Sequence, residues 1–207
     1  MAYSDFTLDE IKKTFQIILH ERVDLFAHID ELPVSACLRT ILQQYVPLAL
    51  AINTEKARSE LMIAPLLVEF RTLTNNDISL FSGVPFNVDT GLGLNGVCDF
   101  IVCYAPEQLY ITAPAIIVVE AKNENIIAGF PQCIATMLAA RIFNARHGQS
   151  LDTIYGVVTT GNIWKFLRLE SHTVYIDSAE YYIATPGKIL GILASIVPQQ
   201  AAAGAAS

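Results

Sequence analysis

The 207-residue chain reads as one α/β domain: a mixed central β-sheet flanked by helices, with an N-terminal helical extension. Three observations predict this. The length suits a single domain of about 100–200 residues. A composition of 53% hydrophobic against 16% charged residues calls for a large interior rather than disorder. Helical spacing fills the first third of the chain and strand spacing follows it, with a strand, helix, strand passage over 115–159 that requires one parallel crossover. Tight turns elsewhere give antiparallel neighbours, so the sheet is expected to be mixed.

Residues 7–31 place Leu8, Ile11, Phe15, Ile18, Leu19, Leu25 and Phe26 at helical spacing behind a Thr7/Glu10 capping box. A second helix is predicted over 34–51 despite Pro47, and a third over 54–71 with Thr54 as its cap. Strands are predicted in ISLFSGVPFNVD, GVCDFIVCY and YITAPAIIVVEAK, the last largely apolar and so central. GFPQCIATMLAARIFNARHG restores a helical stripe, with Pro131 in the first turn, where a missing N–H is harmless, and a stop at His147-Gly148. TIYGVVTTGNIWKFLRLESHTVYID reads as three strands, the first two joined at Thr160-Gly161-Asn162, and residues 186–197 as a short helix. The chain thus divides into an extension over 1–51, a core domain over 52–197 and a low-complexity tail over 198–207 that is expected to be disordered.

Charge or proline interrupts every apolar run before the roughly 18–20 residues a bilayer requires. The opening has no apolar h-region, so a soluble, cytoplasmic protein without a membrane partner is expected. Cys37, Cys98, Cys103 and Cys133 form no C-x-x-C and read as small core residues, and the four histidines are scattered. The net charge of −7 weakens a nucleic-acid reading. Residues 32–149, however, hold nine acids against seven bases, and some of those acids are candidates to bind a cation. GLGLNG matches G-x-G-x-x-G, but a strand follows it instead of the helix that would cradle phosphate, so it reads as a loop turning at Asn95-Gly96.

The chemistry concentrates where IIVVE runs into Ala121-Lys122. Residues two apart on a strand share a face, so Glu120 and Lys122 project together. Asp99 interrupts the preceding apolar strand, where an unpaired carboxylate is costly. With those strands as neighbours, two carboxylates converge beside an ammonium, a donor set suited to magnesium or manganese. The lysine can then orient or deprotonate an attacking water, or stabilise charge on a phosphate.

These residues, over roughly 54–185, resemble the PD-(D/E)XK nuclease superfamily, which has the restriction-endonuclease-like fold, and within it the nuclease domains of type I restriction enzyme R subunits. The resemblance matches Glu60 of ARSELMIAPLL to a helical glutamate, Asp99 of GVCDFIVC to the strand aspartate, Glu120 and Lys122 to E-x-K, and Gln132 of GFPQC to a glutamine opening the crossover helix. It implies a magnesium- or manganese-dependent endonuclease, with DNA as the expected substrate. Asp99, Glu120 and the Ala121 carbonyl would hold the metal, Lys122 would position the water, and Glu60 and Gln132 would assist. Cys98 stands where the motif has proline, and Thr136 where a tyrosine often follows the glutamine. Each residue has a plainer reading too: Glu60 as a solvated helix face, Gln132 as a helix-start polar group. The rival function is a binding or assembly module that keeps the fold without cleavage. The helices of 1–51 make either a homodimer interface or a cover for one sheet face.

Overall fold

The computed structural model describes residues 2–198. Leu8–Phe15 (α1) begins at the Thr7/Glu10 capping box and stops at Gln16, whose backbone is left-handed (φ 54°). Here the structure departs from the helix expected over 7–31: Ile18–Val23 is a strand, β1. QIILHERV carries apolar side chains at both helical and near-alternating spacing, and a sheet edge decides between them. That edge is β7 (Thr173–Asp177), which pairs with β1 in parallel. The segment 1–51 is therefore not an all-helical extension, because part of it belongs to the sheet.

Ala36–Ile52 (α2) starts on Ser35 and runs through Pro47. Glu55–Arg58 (α3) starts on Thr54, widens into a π-helical turn over Ser59–Ile63 and continues as Ala64–Leu73 (α4). The strands β2 (Ser79–Pro85), β3 (Val97–Cys103) and β4 (Ala115–Ala121) follow as expected. The crossover helix α5, Ile126–Arg146, begins earlier than its sequence stripe, on an Asn125 cap, so Pro131 lies inside it rather than in the first turn. Then come β5 (Thr153–Thr159), β6 (Ile163–Glu170), β7, a two-residue β8 (Tyr181–Tyr182) and α6 (Pro186–Ile196). Apart from Pro198, the tail expected to be disordered lies outside the described residues.

One mixed sheet results, in the order β1-β7-β6-β5-β4-β3-β2, with β8 against β6. The pair β4–β5 is parallel, linked by α5, and β3–β4 and β2–β3 are antiparallel. Each face has its own apolar core. On one, α5, α1 and the Tyr3–Asp5 turn cover Ile101, Val118, Val158 and Leu167. On the other, α2, α4 and α6 cover Phe100, Val119, Val157 and Phe166. Asn144 fastens α5 to the start of β4 with two hydrogen bonds to the Ala115 backbone, 2.7 and 2.8 Å.

The helix α5 is long and apolar enough by composition to cross a membrane, contrary to the sequence expectation, but its apolar residues are spent on the sheet and 56% of its most apolar window is buried. Cys98, Cys103 and Cys133 are core residues; Cys37 is exposed, the exception among the four. The glycine-rich segment is a loop as expected, although its turn lies at Thr90–Gly93, closed by an Asp89–Leu94 bridge, rather than at Asn95-Gly96.

Candidate active site

The antiparallel pairing of β3 and β4 reaches Phe100–Val119, and beyond it the strands part. Asp99 bridges the gap with its side chain, for the Ala121 N–H donates to Asp99 Oδ2 at 2.8 Å. On the other side of Asp99, between the pairs Ser82–Phe100 and Val84–Cys98, stands Gly83 at φ +63°, a backbone that side chains other than glycine's rarely allow.

Alternation along β4 sends Val119 and Ala121 to the core under α2, and Val118 to the core under α5. Glu120 follows Val118 and is buried; Lys122 extends the same face. Lys122 Nζ lies 2.6 Å from Glu120 Oε1 and donates at 3.3 Å to Gln132 Oε1 on α5. The Lys122 stem runs beside Gly129, where an added Cβ would stand 3.1 Å from Lys122 Cγ and 2.5 Å from Val158 Cγ1. A glycine at this point lets α5 approach closely enough for Gln132 to reach the lysine. The Lys122 backbone is fixed as well, its N–H donating to Thr159 O at 2.8 Å.

Burial and charge set the protonation here. Glu120 is pushed up to about 8, first by burial and then by Asp99, with Lys122 partly opposing. Burial also raises Asp99, against the Ala121 N–H bond and the Lys122 charge. For Lys122, burial acts to lower its value, but Glu120, with Glu55 and Asp99, outweighs it and the ammonium is stabilised. The neighbouring Cys98 and Cys133 thiols are raised by burial and stay neutral.

A cleft of about 240 Å³ opens on Asp99 and Ala121, walled by Ser82 and Gly83 of β2 and by Glu55, Lys56, Ser59 and Glu60 of α3 and the π-helical turn. Glu60, the helical carboxylate expected from the sequence, does reach the cleft wall, yet it is mostly exposed and pairs with Lys56 at 2.8 Å. Glu55 is the acid the sequence reading missed: it lines the same cleft, and its charge acts on both Glu120 and Lys122. Its position right after the Thr54 cap looked like ordinary first-turn acidity. Arg58 ties this wall to Thr160 O, just past β5 (2.9 Å), and to Asn53 Oδ1 at the end of α2 (2.8 Å).

No family model, curated protein or solved structure matches this chain. Among the described residues no three His, Cys, Asp or Glu side chains converge on a single point. Asn123 Oδ1, one residue past Lys122, is buried without a hydrogen-bond partner among the described residues. Trp164 is core, fully buried, with its indole N–H on Gly161 O.

Proposed function

We propose that this chain is a divalent-metal-dependent nuclease of the restriction-endonuclease-like type, hydrolysing phosphodiester bonds in DNA. The observation that carries the reading is the hydrogen-bonded run Gln132–Lys122–Glu120 beside the Asp99–Ala121 bridge, at the open end of two neighbouring strands.

The residues fit a hard cation. Two carboxylates whose proton affinity is raised by burial, that of Glu120 by Asp99 as well, gain from a bound cation, and Ala121 lines the cleft beside Asp99. Magnesium commonly takes only one or two carboxylates and keeps several waters, so two side-chain ligands suffice. When bound, the metal would supply Lewis acidity and a more acidic water. The protein's own residues do the rest. Asp99 and Glu120 would hold the ion, Lys122 would place its ammonium where charge develops on the phosphate, and Gln132 gives that ammonium a second acceptor besides Glu120. Glu55 adds a third negative charge to the cleft wall.

The rival, a scaffold without cleavage, is favoured by the lining itself. Glu55, Glu60 and Asp99 face the cleft against Lys56 alone, so no positive rim awaits a polyanion. Plasmid nicking by the purified chain, with magnesium or manganese and with chelator, decides between them. Metal-dependent cleavage lost in Lys122→Ala supports the nuclease. No cleavage of DNA or RNA with any divalent metal replaces it by the scaffold.

A further inference from the structure

A hollow of about 530 Å³ lies where one side of α2 meets the turn between β5 and β6 and the start of α6. Arg39, Leu42, Gln43, Val46 and Pro47 recur every three or four residues and so share that side of the helix. The floor is apolar: Leu42 and Ile183 are buried, and Val46 is half-buried against the same core.

The rim is polar and unspent. The side chains of Arg39, Gln43 and Asn162 make no hydrogen bond or ion pair among the described residues. Of the cationic side chains, only Lys12 and Arg22 share that condition with Arg39, and neither lines this hollow. No acid is among the lining residues to neutralise the guanidinium. Two backbone features add to this. Pro47 supplies no N–H to the Gln43 carbonyl four residues before it. Pro186 lines the hollow and opens α6, whose Thr185 hydroxyl donates to Tyr182 O (3.2 Å) instead of capping the first turn, so the positive pole of that helix is left without a side-chain cap.

We propose that this hollow binds a small organic acid with an apolar body, its carboxylate on Arg39 and its hydrocarbon on Leu42, Val46 and Ile183. Sites for small molecules span about 300–1,000 Å³ and are mostly apolar with a few placed polar groups. The head group is a carboxylate rather than a phosphate, because one guanidinium matches a single negative charge in a two-pronged bond and no second cation lines the hollow. The carboxamides of Gln43 and Asn162 offer donors and acceptors to a polar group along the body. This inference stands apart from the nuclease reading, since the hollow shares no lining residue with the Asp99 cleft and its test measures no cleavage.

Titration of the full ¹⁵N-labelled chain with octanoate, followed by amide chemical shifts, tests it. The expected result is saturable shifts around residues 39–46, Asn162 and Ile183, with a dissociation constant on the order of a millimolar or tighter. Octanamide, the neutral isostere, should bind roughly tenfold more weakly or worse, because it lacks the charge-assisted bond. Arg39→Gln should weaken octanoate by a similar factor and erase the preference for the acid over the amide. Gln43→Trp, which fills the hollow from an exposed position, should abolish the shifts while the circular dichroism spectrum stays that of wild type. Octanoate that gives no saturable shifts up to about 10 mM, that shifts a different surface, or that binds no better than octanamide overturns the proposal. So does an Arg39→Gln variant that binds octanoate like wild type.

Discussion

The Ala121 N–H donates to Asp99 Oδ2, so where β3 and β4 part their junction is made by a carboxylate instead of by backbone. Asp99 consequently has a structural duty besides any chemical one, and the two separate by substitution. Asp99→Ala leaves the buried Ala121 N–H without its acceptor and should lower stability by about 1–3 kcal/mol in thermal or urea unfolding. Asp99→Asn keeps an acceptor oxygen and should stay near wild-type stability without metal. It should lose most of the rise in melting temperature that magnesium or manganese gives wild type. Equal metal-induced shifts in the two proteins would place the ion elsewhere.

Lys122→Ala removes the ammonium and leaves in place both carboxylates proposed to hold the metal, although Glu120 loses its ion-pair partner. Loss of one transition-state donor costs about 10²–10³ in rate. Nicking should fall by that order while the metal-induced melting shift persists. Gln132→Ala, which frees the lysine rather than deleting it, should cost less than Lys122→Ala in the same assay.

Stability should depend on pH in a direction set by Glu120. A carboxyl that holds its proton more tightly in the folded chain than in the unfolded one favours folding where it is protonated and opposes it where it must ionise. Metal-free protein should therefore lose stability as pH rises from the ordinary value of 4.5 toward about 8, with no further loss from Glu120 above that. Asp99, also raised, adds in the same direction. The total is on the order of a few kcal/mol. Melting curves in chelator between pH 5 and pH 9 check this, and Glu120→Gln should flatten most of the decline. A wild type whose stability rises over that range would contradict the assigned environment.

Gly129→Ala probes the approach of α5 to β4. Its backbone is ordinary helix, so the effect is steric: the new methyl meets Val158 and the Lys122 stem. Overpacking of this kind costs about 1–3 kcal/mol. The displaced lysine should reduce nicking more than the stability loss accounts for, read as activity of the fully folded fraction.

Glu55→Gln and Glu60→Gln form a paired test. Glu55 acts on Glu120 and Lys122, whereas Glu60 is occupied by Lys56 at the cleft mouth. Metal titration followed by melting temperature should show weaker binding for Glu55→Gln and little change for Glu60→Gln. The reverse order would return the helical role to Glu60.

Much of this site is readable from the chain, and the exceptions have physical causes. Strand alternation alone puts Glu120 and Lys122 on one face, and an Asp inside an apolar strand needs a partner. The structure supplies that partner as the Ala121 N–H. Glu60 does reach the cleft wall, but the sequence gives no sign of the π-helical turn over Ser59–Ile63 in which it stands, nor that Glu55 lines the same cleft. β1 is illegible because its partner lies some 155 residues away, and local spacing in QIILHERV fits helix equally well. Pro131 marks a helix but misplaces its start, since Asn125 caps one turn earlier than the apolar stripe begins.

The pairing of Ile18–Val23 with Thr173–Asp177 also governs how the chain can be made. During synthesis, which proceeds from the N-terminus at about 5–20 residues per second, β2, β3 and β4 can meet one another as soon as they emerge. β1 leaves the ribosome before any of them and has no hydrogen-bonding neighbour until β7 arrives. For that interval of some 150 residues, Ile17, Leu19 and Val23 wait unshielded beside an open backbone ladder. His20, Glu21 and Arg22 stay exposed in the finished strand, and such polar groups discourage pairing with a stranger's strand in the meantime.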